Sequence, residues 1–431
     1  MARAAPLSPD YQARPYWWDE VELPQPAPAP LPAVVDVVVV GGGYTGLAAA
    51  WELARGGRHV VVVDHDDIGA GASSRNGGMA HPGGKRDVSE FLAEPSGRRL
   101  WQETVVAFEG VGALSAELGV EFDFQRCGHL ELAHHPRLAL HQRAVAETYG
   151  SIGEPARFLD AASLRAEIGT GQFYGGLLVE RSAGLHPAKL VAGLARAAAA
   201  SGAVLHGATT VLALERRGRA YELDTSRGAV RCREVVVATN GATGRRLVPW
   251  LGRRILPIGS YMIATEPLAP ELTASVNPHG RMFFDTRNLL HYWRLSPDSR
   301  RVLFGGRTSL SPTTVERSRD QLYRAMVEIH PQLAGVRVDR AWGGHVALTT
   351  DRFPHVGRRP DTGVVYAMGY CGSGVALSVH FGRAVGRWLC GQGDLPAFAG
   401  RPWGPMPWPA RVPWLLAVAG TVFRSRDALG R

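Results

Sequence analysis

The sequence predicts an α/β fold, and features near its N-terminal end indicate which kind. A run of four valines, Val37–Val40, has the length and composition of a buried strand. Glycines follow it directly, and the segment Leu47–Arg55 behind them reads as a helix. A second apolar strand, His59–Val63, then runs into Asp64. This is the pattern of a dinucleotide-binding βαβ unit, in which a strand, a glycine turn, a helix and a second strand are followed by an acid.

The turn of this unit needs three glycines for three different reasons. Gly41 allows the tight turn from strand to helix, Gly43 lets a pyrophosphate approach the backbone, and Gly46 lets the helix pack on the sheet. The start of the helix, at Tyr44 and Thr45, offers free N–H groups and a positive dipole end to the phosphates. The alternative is an ordinary glycine-rich turn of an α/β protein.

Asp64 narrows the choice of nucleotide. Its carboxylate can accept hydrogen bonds from both ribose hydroxyls of an adenosine, and a 2′-phosphate would disrupt them. The ligand is therefore expected to be FAD or NAD rather than NADP. No second glycine fingerprint is visible in the sequence, which argues against a pyridine-nucleotide reductase.

A second glycine-rich loop, Ile68–Gly78, lies where a long cofactor would continue past its pyrophosphate. Its sequence, Ile-Gly-Ala-Gly-Ala-Ser-Ser-Arg-Asn-Gly-Gly, resembles the D-amino-acid oxidase/glycine oxidase superfamily of flavoproteins, and within it the γ-glutamylputrescine oxidase-like group. The resemblance implies that the cofactor is FAD. It also implies cofactor contacts by Ser73, Ser74, Arg75, Asn76, Gly77 and Gly78.

Further motifs extend the resemblance along nearly the whole chain. They are Tyr16-Trp17, Ala238–Gly241, Ala264–Leu268, Leu303–Arg307, Trp342–Gly344 and Gly369–Val375. In this family the turn at Gly369 directs N–H groups and a helix dipole at the flavin edge where negative charge accumulates on reduction. The alternative for this motif alone is a plain strand–helix connection. The resemblance implies further cofactor contacts by Ala238, Asn240, Gly344, Gly372, Ser373 and Gly374.

The resemblance also implies the domain organisation. It predicts a Rossmann-like FAD-binding domain of the glutathione-reductase-2 type and a discontinuous α+β substrate domain built on an antiparallel sheet. The FAD-binding domain is expected over 34–90, 150–245 and 340–400, and the substrate domain over 91–149 and 246–339. A Pro-rich arm, residues 1–33, is expected to lie extended over the body, and 401–431 to form a C-terminal tail or helix.

Length and composition argue against several other classes of protein. At 431 residues the chain exceeds the usual single-core limit, so about two domains are expected. A net charge of +9 is present without any run of basic residues interleaved with aromatic ones, which argues against nucleic-acid binding. The four cysteines form no C-x-x-C pair, so neither a metal site nor a disulfide framework is indicated.

The two ends of the sequence bear on localisation. The first thirty-odd residues show no basic region followed by an apolar one, which argues against a secretory signal. The apolar patch Trp414–Phe423 is too short to span a bilayer and is expected to be a packed terminal helix. A membrane-touching helix is the alternative, because Arg424 and Arg426 follow the patch. A cytoplasmic enzyme without a transmembrane segment is therefore expected.

Departures from the family pattern carry information of their own. Sarcosine oxidases bind the substrate carboxylate with a lysine where this chain has Ala376, so a small α-amino acid held in that way is disfavoured. The segment 342–356 lacks the cysteine that attaches FAD in those relatives, and Arg75 and Asn76 replace a linking histidine in others. Non-covalent FAD is therefore expected. The oxygen-activating lysine has no clear counterpart in Asn288–Arg294, so oxidase and dehydrogenase both stay open.

The catalytic candidates rest on fewer signals than the cofactor residues do. Flavin-dependent amine oxidation mostly needs orientation and desolvation of the substrate, with no obligatory acid–base pair. Arg307 follows two glycines at a strand end and is a candidate for holding an anionic group of the substrate; a surface arginine is the alternative. The resemblance places three further candidates near the flavin face, each with a packed core residue as the alternative: Tyr261, Tyr292 and His345. His81 and Lys85 are candidates for positive charge near the flavin.

Three hypotheses about function follow. The leading one is an FAD-dependent oxidase that converts an amine or amino acid to an imine and passes electrons to O2. The second keeps that half-reaction but passes electrons to a quinone or a carrier protein. The third is a nucleotide-binding protein without redox turnover. The sequence leaves the substrate itself open.

Overall fold

The computed structural model describes residues 4–24, 30–244, 247–311, 313–407 and 412–430 of the chain. Its strands are, in chain order, β1 (Leu7–Gln12), β2 (Val37–Val40), β3 (Val60–Val63), β4 (Met79–Ala80), β5 (Gln125–Arg126), β6 (His129–Leu132), β7 (Ala156–Asp160), β8 (Gly175–Val179), β9 (Ala183–Gly184), β10 (Val204–His206), β11 (Val211–Arg217), β12 (Ala220–Thr225), β13 (Gly228–Cys232), β14 (Glu234–Val237), β15 (Leu256–Thr265), β16 (Met282–Asp285), β17 (His291–Leu295), β18 (Val302–Gly306), β19 (Val338–Leu348), β20 (His355–Arg358) and β21 (Val365–Met368).

The helices alternate with these strands. They are α1 (Tyr44–Arg55), α2 (Ala72–Arg75), α3 (Val88–Leu92), α4 (Gly97–Leu118), α5 (Pro136–Ser151), α6 (Ala161–Ile168), α7 (Pro187–Ala200), α8 (Pro249–Gly252), α9 (Pro270–Val276), α10 (Val315–Ile329), α11 (Gly374–Leu389) and α12 (Pro413–Leu429).

The glycine turn lies on a sheet with the strand order β10-β3-β2-β14-β21-β20, in which β20 and β21 are antiparallel and the other neighbours are parallel. Val37 and Val39 of β2 pack with residues of α1, α7 and α11, whereas Val38 and Val40 pack on the other side with β12 and β13. Both faces of this sheet are thus covered, which explains why its strands are continuous valine runs. The predicted βαβ unit is confirmed.

The second, larger sheet is mostly antiparallel, with the strand order β1-β19-β15-β18-β17-β16-β6-β8-β7. On one face Ile263, Trp293 and Phe304 pack against Leu322 and Met326 of α10. On the opposite face, Tyr292 lies against the second glycine loop, since a Cβ atom at Gly77 would be 3.1 Å from its ring. The predicted fold class, a Rossmann-like unit joined to an antiparallel sheet, is confirmed.

Several predicted domain boundaries need correction. The ranges 150–245 and 340–400 are predicted to belong to the FAD-binding domain. The strands β7 and β8 of the first range and β19 of the second nevertheless belong to the large sheet. Conversely, α4 packs in the same core as α1, α7 and α11, although 91–149 was assigned to the substrate domain. Sheet membership depends on pairing between residues far apart in sequence, and local patterns do not encode such pairing.

The N-terminal arm is extended where it is described, and β1 forms a parallel edge strand against β19. Residues 1–3 and 25–29 of the arm lie outside the described residues. A 3-10 turn at Tyr16–Trp18 follows β1, and it buries Trp17 completely. The arm is therefore part of the large sheet and reaches the cofactor loop through this turn.

At the other end, the predicted terminal helix corresponds to α12. The carboxylate of Asp427 accepts hydrogen bonds from the backbone and side-chain amides of Asn288, at 2.8 and 2.7 Å, and so fastens this helix to the large sheet. The side chains of Trp414 and Arg424 lie outside the described part of the chain. Among the helices that the structure describes, none is long and apolar enough to cross a membrane.

Candidate cofactor and substrate site

The glycine turn after β2 leaves no room for side chains. Gly41 has φ +108°, a region that favours glycine, and a Cβ atom there would lie 2.8 Å from the Ala238 carbonyl oxygen. A Cβ atom at Gly43 would lie 2.7 Å from the Ser73 hydroxyl, and one at Gly46 would overlap the Gly41 carbonyl. At each of these three positions, a side chain would clash with a neighbouring part of the chain, so glycine is required for the close packing of this turn.

Asp64 closes the other side of this turn. Its carboxylate accepts the N–H of Gly42 at 2.6 Å and the N–H of Asp66 at 3.1 Å. Burial raises the pKa of Asp64 above its ordinary value, while these two hydrogen bonds act against the rise. The bonds fix the carboxylate at the end of β3, where it lines a cavity.

Tryptophan side chains hold the second glycine loop, Ile68–Gly78, in place at residues 74–76. Each donates its indole N–H to the loop: Trp17 to the Asn76 carbonyl at 2.8 Å, Trp18 to the Ser74 hydroxyl at 3.0 Å, and Trp342 to the Arg75 carbonyl at 2.8 Å. The Arg75 guanidinium also stacks over the Trp18 ring, 4.6 Å from its centroid. The loop is thus fixed by the N-terminal arm and by β19 together.

Not every predicted cofactor residue in this loop faces the cavity. Ser74 is fully buried, and its hydroxyl donates to the Gly69 carbonyl at 2.7 Å. Gly78 has φ +63°, and its carbonyl accepts a hydrogen bond from Arg294 at 2.6 Å. Both residues stabilise the loop on the side away from the cavity. Ser73, in contrast, lines the cavity, and its hydroxyl accepts the Tyr44 N–H at 2.9 Å.

A cavity of about 1010 Å³ runs from Asp64 along the two glycine loops to the large sheet. Its walls include most of the predicted cofactor residues, namely Gly41, Gly43, Tyr44, Thr45, Asp64, Ser73, Arg75, Asn76, Ala238, Asn240, Gly344, Gly372 and Gly374. Thr209, Thr210 and Ser378 also line it and were not predicted. The Ser378 hydroxyl is buried without a hydrogen-bond partner among the described residues, so a polar ligand here would satisfy it.

A second cavity of about 440 Å³ adjoins the first. Arg75, Asn76, Gly344, His345, Cys371 and Gly372 line both cavities. Gly77, Ser373, Tyr292 and Arg307 line the second one only, and Gly46 lines neither because it serves helix packing. The predicted cofactor residues and the predicted catalytic residues therefore meet at the wall that the two cavities share.

Arg307 lies at the inner end of the second cavity. Its residue is only 8% exposed, and within the described part of the chain no side chain or carbonyl forms an ion pair or hydrogen bond with its guanidinium. Burial lowers the pKa of Arg307, which nevertheless stays charged at neutral pH. A buried, unpaired charge costs several kcal/mol unless a ligand neutralises it. The arrangement therefore suits an anionic group.

The two tyrosine candidates lie on opposite faces of the large sheet. Tyr292 faces the second cavity, and its hydroxyl is 3.0 Å from that of Ser260. Burial raises the pKa of Tyr292, so its phenol stays protonated. Tyr261 instead turns toward α10, donates its hydroxyl to the Thr313 carbonyl at 2.8 Å, and lines only the first cavity. The geometry thus separates Tyr261 from Tyr292 and Arg307, whereas His345 shares its face of the sheet and also lines the first cavity.

The sequence predicts some of the charged residues that line the second cavity, Arg307 and Lys85, but not Glu131. Burial and the Arg307 charge lower the pKa of Lys85 to about 8. Burial and the adjacent His129 lower the pKa of His81 to about 4, so His81 is neutral and supplies no positive charge, contrary to expectation. Glu131 was missed. The alternation of His129 and Glu131 with Leu130 in β6 was a signal for it, because it places both polar residues on one face.

These residues fit FAD as the predicted cofactor. The glycine turn and the helix start of α1 suit a pyrophosphate, Asp64 suits a ribose, and Ser378 offers an unused hydroxyl. The turn Gly372–Gly374 presents the start of α11 to the shared wall. Among the described residues no group of three or more histidine, cysteine, aspartate or glutamate side chains is placed to hold a metal ion.

Comparisons with known proteins agree with this geometry. The family model named DAO, FAD dependent oxidoreductase, matches residues 36–388. The chain is 32% identical over 419 residues to the probable oxidoreductase OrdL of Rhizobium meliloti, across 93% of this chain and 95% of that protein. It is 32% identical over 406 residues to the γ-glutamylputrescine oxidoreductase of Escherichia coli, across 92% and 93%. The crystal structure of glycine oxidase from Geobacillus kaustophilus matches with a TM-score of 0.70 at 22% identity, over 85% of this chain and 97% of that one.

Proposed function

Because the chain belongs to the DAO family of FAD-dependent oxidoreductases, we propose that it oxidises a primary or secondary amine, or an amino acid, to the imine. Its relatives include proteins named γ-glutamylputrescine oxidoreductase and glycine oxidase, and both names denote amine or amino-acid substrates. Water then hydrolyses the imine to a carbonyl compound and ammonia or a smaller amine. O2 is the proposed electron acceptor.

The observation that carries this proposal is the junction of the two cavities. The dinucleotide cavity ends at the wall where the second cavity begins, and the unpaired guanidinium of Arg307 lies beside that wall: a Cβ atom at Gly372 would be 3.5 Å from it. A substrate in the second cavity would therefore lie against the end of the cofactor site. Its anionic group, where it has one, would be bound by Arg307.

FAD, when bound, supplies the acceptor for a hydride from the C–H bond next to the amine nitrogen. The residues of this chain bind and orient the substrate and exclude water. Only a neutral amine has the free electron pair that imine formation needs. Arg307 and Lys85 both place positive charge at this end of the cavity, and positive charge disfavours the ammonium form of a bound amine. Tyr292 offers a protonated phenol, and His345 offers an imidazole from the shared wall.

Transfer to a quinone or a carrier protein is the second candidate for the oxidative half-reaction. It is kept because the segment 288–294, where some relatives carry an oxygen-activating lysine, contains no lysine. Peroxide formation distinguishes the two candidates. One peroxide per substrate oxidised supports the oxidase, and substrate-reduced flavin that reacts with quinone but not with O2 supports the dehydrogenase.

The test of the amine proposal is anaerobic reduction of the FAD-loaded protein. Amines, γ-glutamyl amines, N-methyl amino acids and both enantiomers of common amino acids are mixed with it, and the flavin absorbance is followed. Loss of that absorbance with at least one amine, and not with NADH, is expected. A protein that binds FAD but is reduced by no amine would instead be a nucleotide-binding protein without this activity.

A cytoplasmic location is part of the proposal. Cell fractionation tests it, with activity expected in the soluble fraction after lysis at low salt.

A further inference from the structure

We propose that Glu131 binds a second, non-reacting ammonium group, so that the substrate is a diamine or an amino acid with a cationic side chain. This inference deepens the proposed function and rests on it. Glu131 lies on the wall of the second cavity, at the opposite end of one row of residues from Arg307.

The row follows from the strand register. Gly305 of β18 pairs with Tyr292 of β17, Tyr292 pairs with Phe284 of β16, and Phe284 pairs with Glu131 of β6. Paired residues share a face of the sheet, and Arg307 lies two residues beyond Gly305, so all of these positions face the same way. Three strand spacings, or roughly 14 Å between backbones, separate Gly305 from Glu131, and Arg307 lies two residues, or roughly 7 Å, farther along the chain.

The middle of the row suits an alkyl chain. The rings of Tyr292 and Phe284 lie between the two charged ends, and both line the second cavity. The His129 ring packs edge-on against Phe284, 5.3 Å between centroids, and closes the floor at its outer end. A short hydrocarbon chain on this floor would bury apolar surface while its two ends reach opposite charges. Such rings also attract an ammonium group next to a carboxylate.

Among the described residues, Glu131 has no arginine or lysine within ion-pair distance, in contrast to two other acids of this cavity. Asp285 pairs with Arg287, and Glu90 forms an ion pair with Arg352. Asp87, a further acid of the cavity, also meets only a histidine, His141, but its carboxylate caps α3 by accepting the Glu90 N–H at 2.9 Å. Within the described chain, the nearest base to the Glu131 carboxylate is His129, with Nε2 3.9 Å from Oε1.

The Glu131 carboxylate is ionised and accessible from the cavity. Protein surrounds the side chain, which nevertheless keeps 43% of its surface accessible. Burial opposes ionisation of Glu131, but the interaction with His129 and the charge of Lys85 hold its pKa below the ordinary value. An ionised acid that faces an aromatic cavity is a site for an organic cation.

Lys85 is the group that opposes such a ligand. It lies on the same cavity, and no carboxylate forms an ion pair with it in the part of the chain that the structure describes. Its charge repels a second ammonium group near Glu131. Substitution of Lys85 and of Glu131 should therefore shift the selectivity in opposite directions, which a merely structural role for either residue would not do.

Matched ligand pairs test the proposal. Lysine and norleucine have the same chain length, as do 1,4-diaminobutane and butylamine, and one member of each pair lacks the second ammonium group. Dissociation constants and limiting reduction rates are measured anaerobically from the flavin spectrum of FAD-loaded wild type, Glu131→Gln and Lys85→Met. Wild type should bind the dicationic member more tightly. In Glu131→Gln that preference should fall roughly 10- to 100-fold, the loss of one charge-assisted interaction, and in Lys85→Met it should rise.

Glu90→Gln is the matched control, because this acid lines the same cavity but already pairs with Arg352. Its ligand preference should equal that of wild type. An unchanged preference in Glu131→Gln, in a protein whose flavin is still reduced by amines, overturns the assignment of Glu131 and leaves the proposed function standing. The assignment is equally overturned if neither lysine nor 1,4-diaminobutane binds. A flavin that no amine reduces in any variant contradicts the proposed function itself.

Discussion

At the scale of single residues, two buried arginines show opposite relations to their surroundings. The guanidinium of Arg294 donates to the carbonyls of Gly78, Leu185 and Leu295. Arg307 is buried to a similar degree but has no such partners among the described residues. Arg294 therefore stabilises the fold, whereas the positive charge of Arg307 is available to bind an anionic ligand.

Arg307→Met should therefore stabilise the substrate-free protein or leave its thermal midpoint unchanged, because the substitution removes an unpaired buried charge. Arg294→Met should lower the midpoint, since it removes hydrogen bonds to three carbonyls, although the Gly78 carbonyl still accepts the Leu185 N–H; each carbonyl left unsatisfied costs about 1–3 kcal/mol. Arg307→Met should also weaken binding of carboxylate-bearing substrates by about 1.5–3 kcal/mol and leave uncharged amines nearly unaffected. Thermal scans and anaerobic titrations measure the two effects. A large loss of stability in Arg307→Met would mean that the arginine has an internal partner.

The two ends of the βαβ unit should respond differently to substitution. Gly43→Val should abolish FAD binding, because its side chain would occupy space already limited by the Ser73 hydroxyl at 2.7 Å. Asp64→Ala should weaken FAD binding by about 1.5–3 kcal/mol, the cost of one charge-assisted hydrogen bond. Equilibrium titration of the apoprotein with FAD measures both. Gly150→Val is the control, since a Cβ atom at Gly150 meets nothing within 4 Å. Equal, mild losses at Gly43 and Asp64 would show that no pyrophosphate lies over this turn.

At the scale of elements, the N-terminal arm determines how firmly the cofactor loop is held. Trp17→Ala should cost about 3–5 kcal/mol, because it removes a fully buried indole and the bond to the Asn76 carbonyl. Trp17→Phe should keep most of the packing and lose about 0.5–1.5 kcal/mol for the hydrogen bond. FAD dissociation should be faster in both, in that order, when followed by recovery of flavin fluorescence. Trp388→Ala, on α11, serves as the control, and equal dissociation rates in all variants would contradict a role for the arm.

The end of α10 carries an acid-sensitive group. His330 is fully buried, and burial lowers its pKa from 6.5 to about 4. Between these values the unfolded chain binds a proton that the folded protein does not, so stability falls as pH decreases from 6.5 to 4. The contribution is about 3 kcal/mol at most. His330→Leu should reduce the acid dependence of the thermal midpoint, whereas His279→Leu, at a side chain that is 53% exposed, should not. Parallel curves for wild type and His330→Leu would refute this assignment.

The sequence predicts elements with strong local signals, and the βαβ unit is the clearest of them. The four-valine strands, the glycine turn and the acid at Asp64 all lie within thirty residues, and each has its own steric or electrostatic requirement. The register of the large sheet is different, because β6 pairs with β16 and β8, which lie far away in sequence. The row from Arg307 to Glu131 exists only through that register, and local patterns do not contain it.

The tyrosine candidates illustrate the same limit within one sheet. Alternation in β15 implies that Tyr261 and Met262 face opposite ways, but only the tertiary structure tells which face meets α10. Tyr261 meets that helix, and Tyr292 meets the cavity. The family resemblance implies that both tyrosines lie near the flavin, because it places whole strands near the cofactor and does not indicate which face of the sheet each side chain lies on.

At the scale of the whole molecule, the cofactor should be held without a covalent bond. The thiol that lies on the shared wall is Cys371, and burial raises its pKa, which disfavours the reactive thiolate. Its sulfur is 3.3 Å from the Thr349 hydroxyl. Acid denaturation should therefore release all of the flavin into the supernatant as FAD, from wild type and from Cys371→Ser alike. Yellow colour that stays with the precipitated chain of wild type but not of Cys371→Ser would identify a linkage at this sulfur.

The pairing of the first strand with one near the end of the chain has a consequence for the order of assembly. The Ser8 hydroxyl donates to Asp339 at 2.6 Å, across 331 residues of sequence, and β1 pairs with β19 alone in the described chain. During synthesis the arm emerges long before β19, and β1 can pair only after that strand has been made. Until then the tryptophans of the arm leave the glycine loop uncovered. The nucleotide-binding sheet waits for β21, which follows β19 in the chain, so docking of the arm and completion of the cofactor site both fall late in folding.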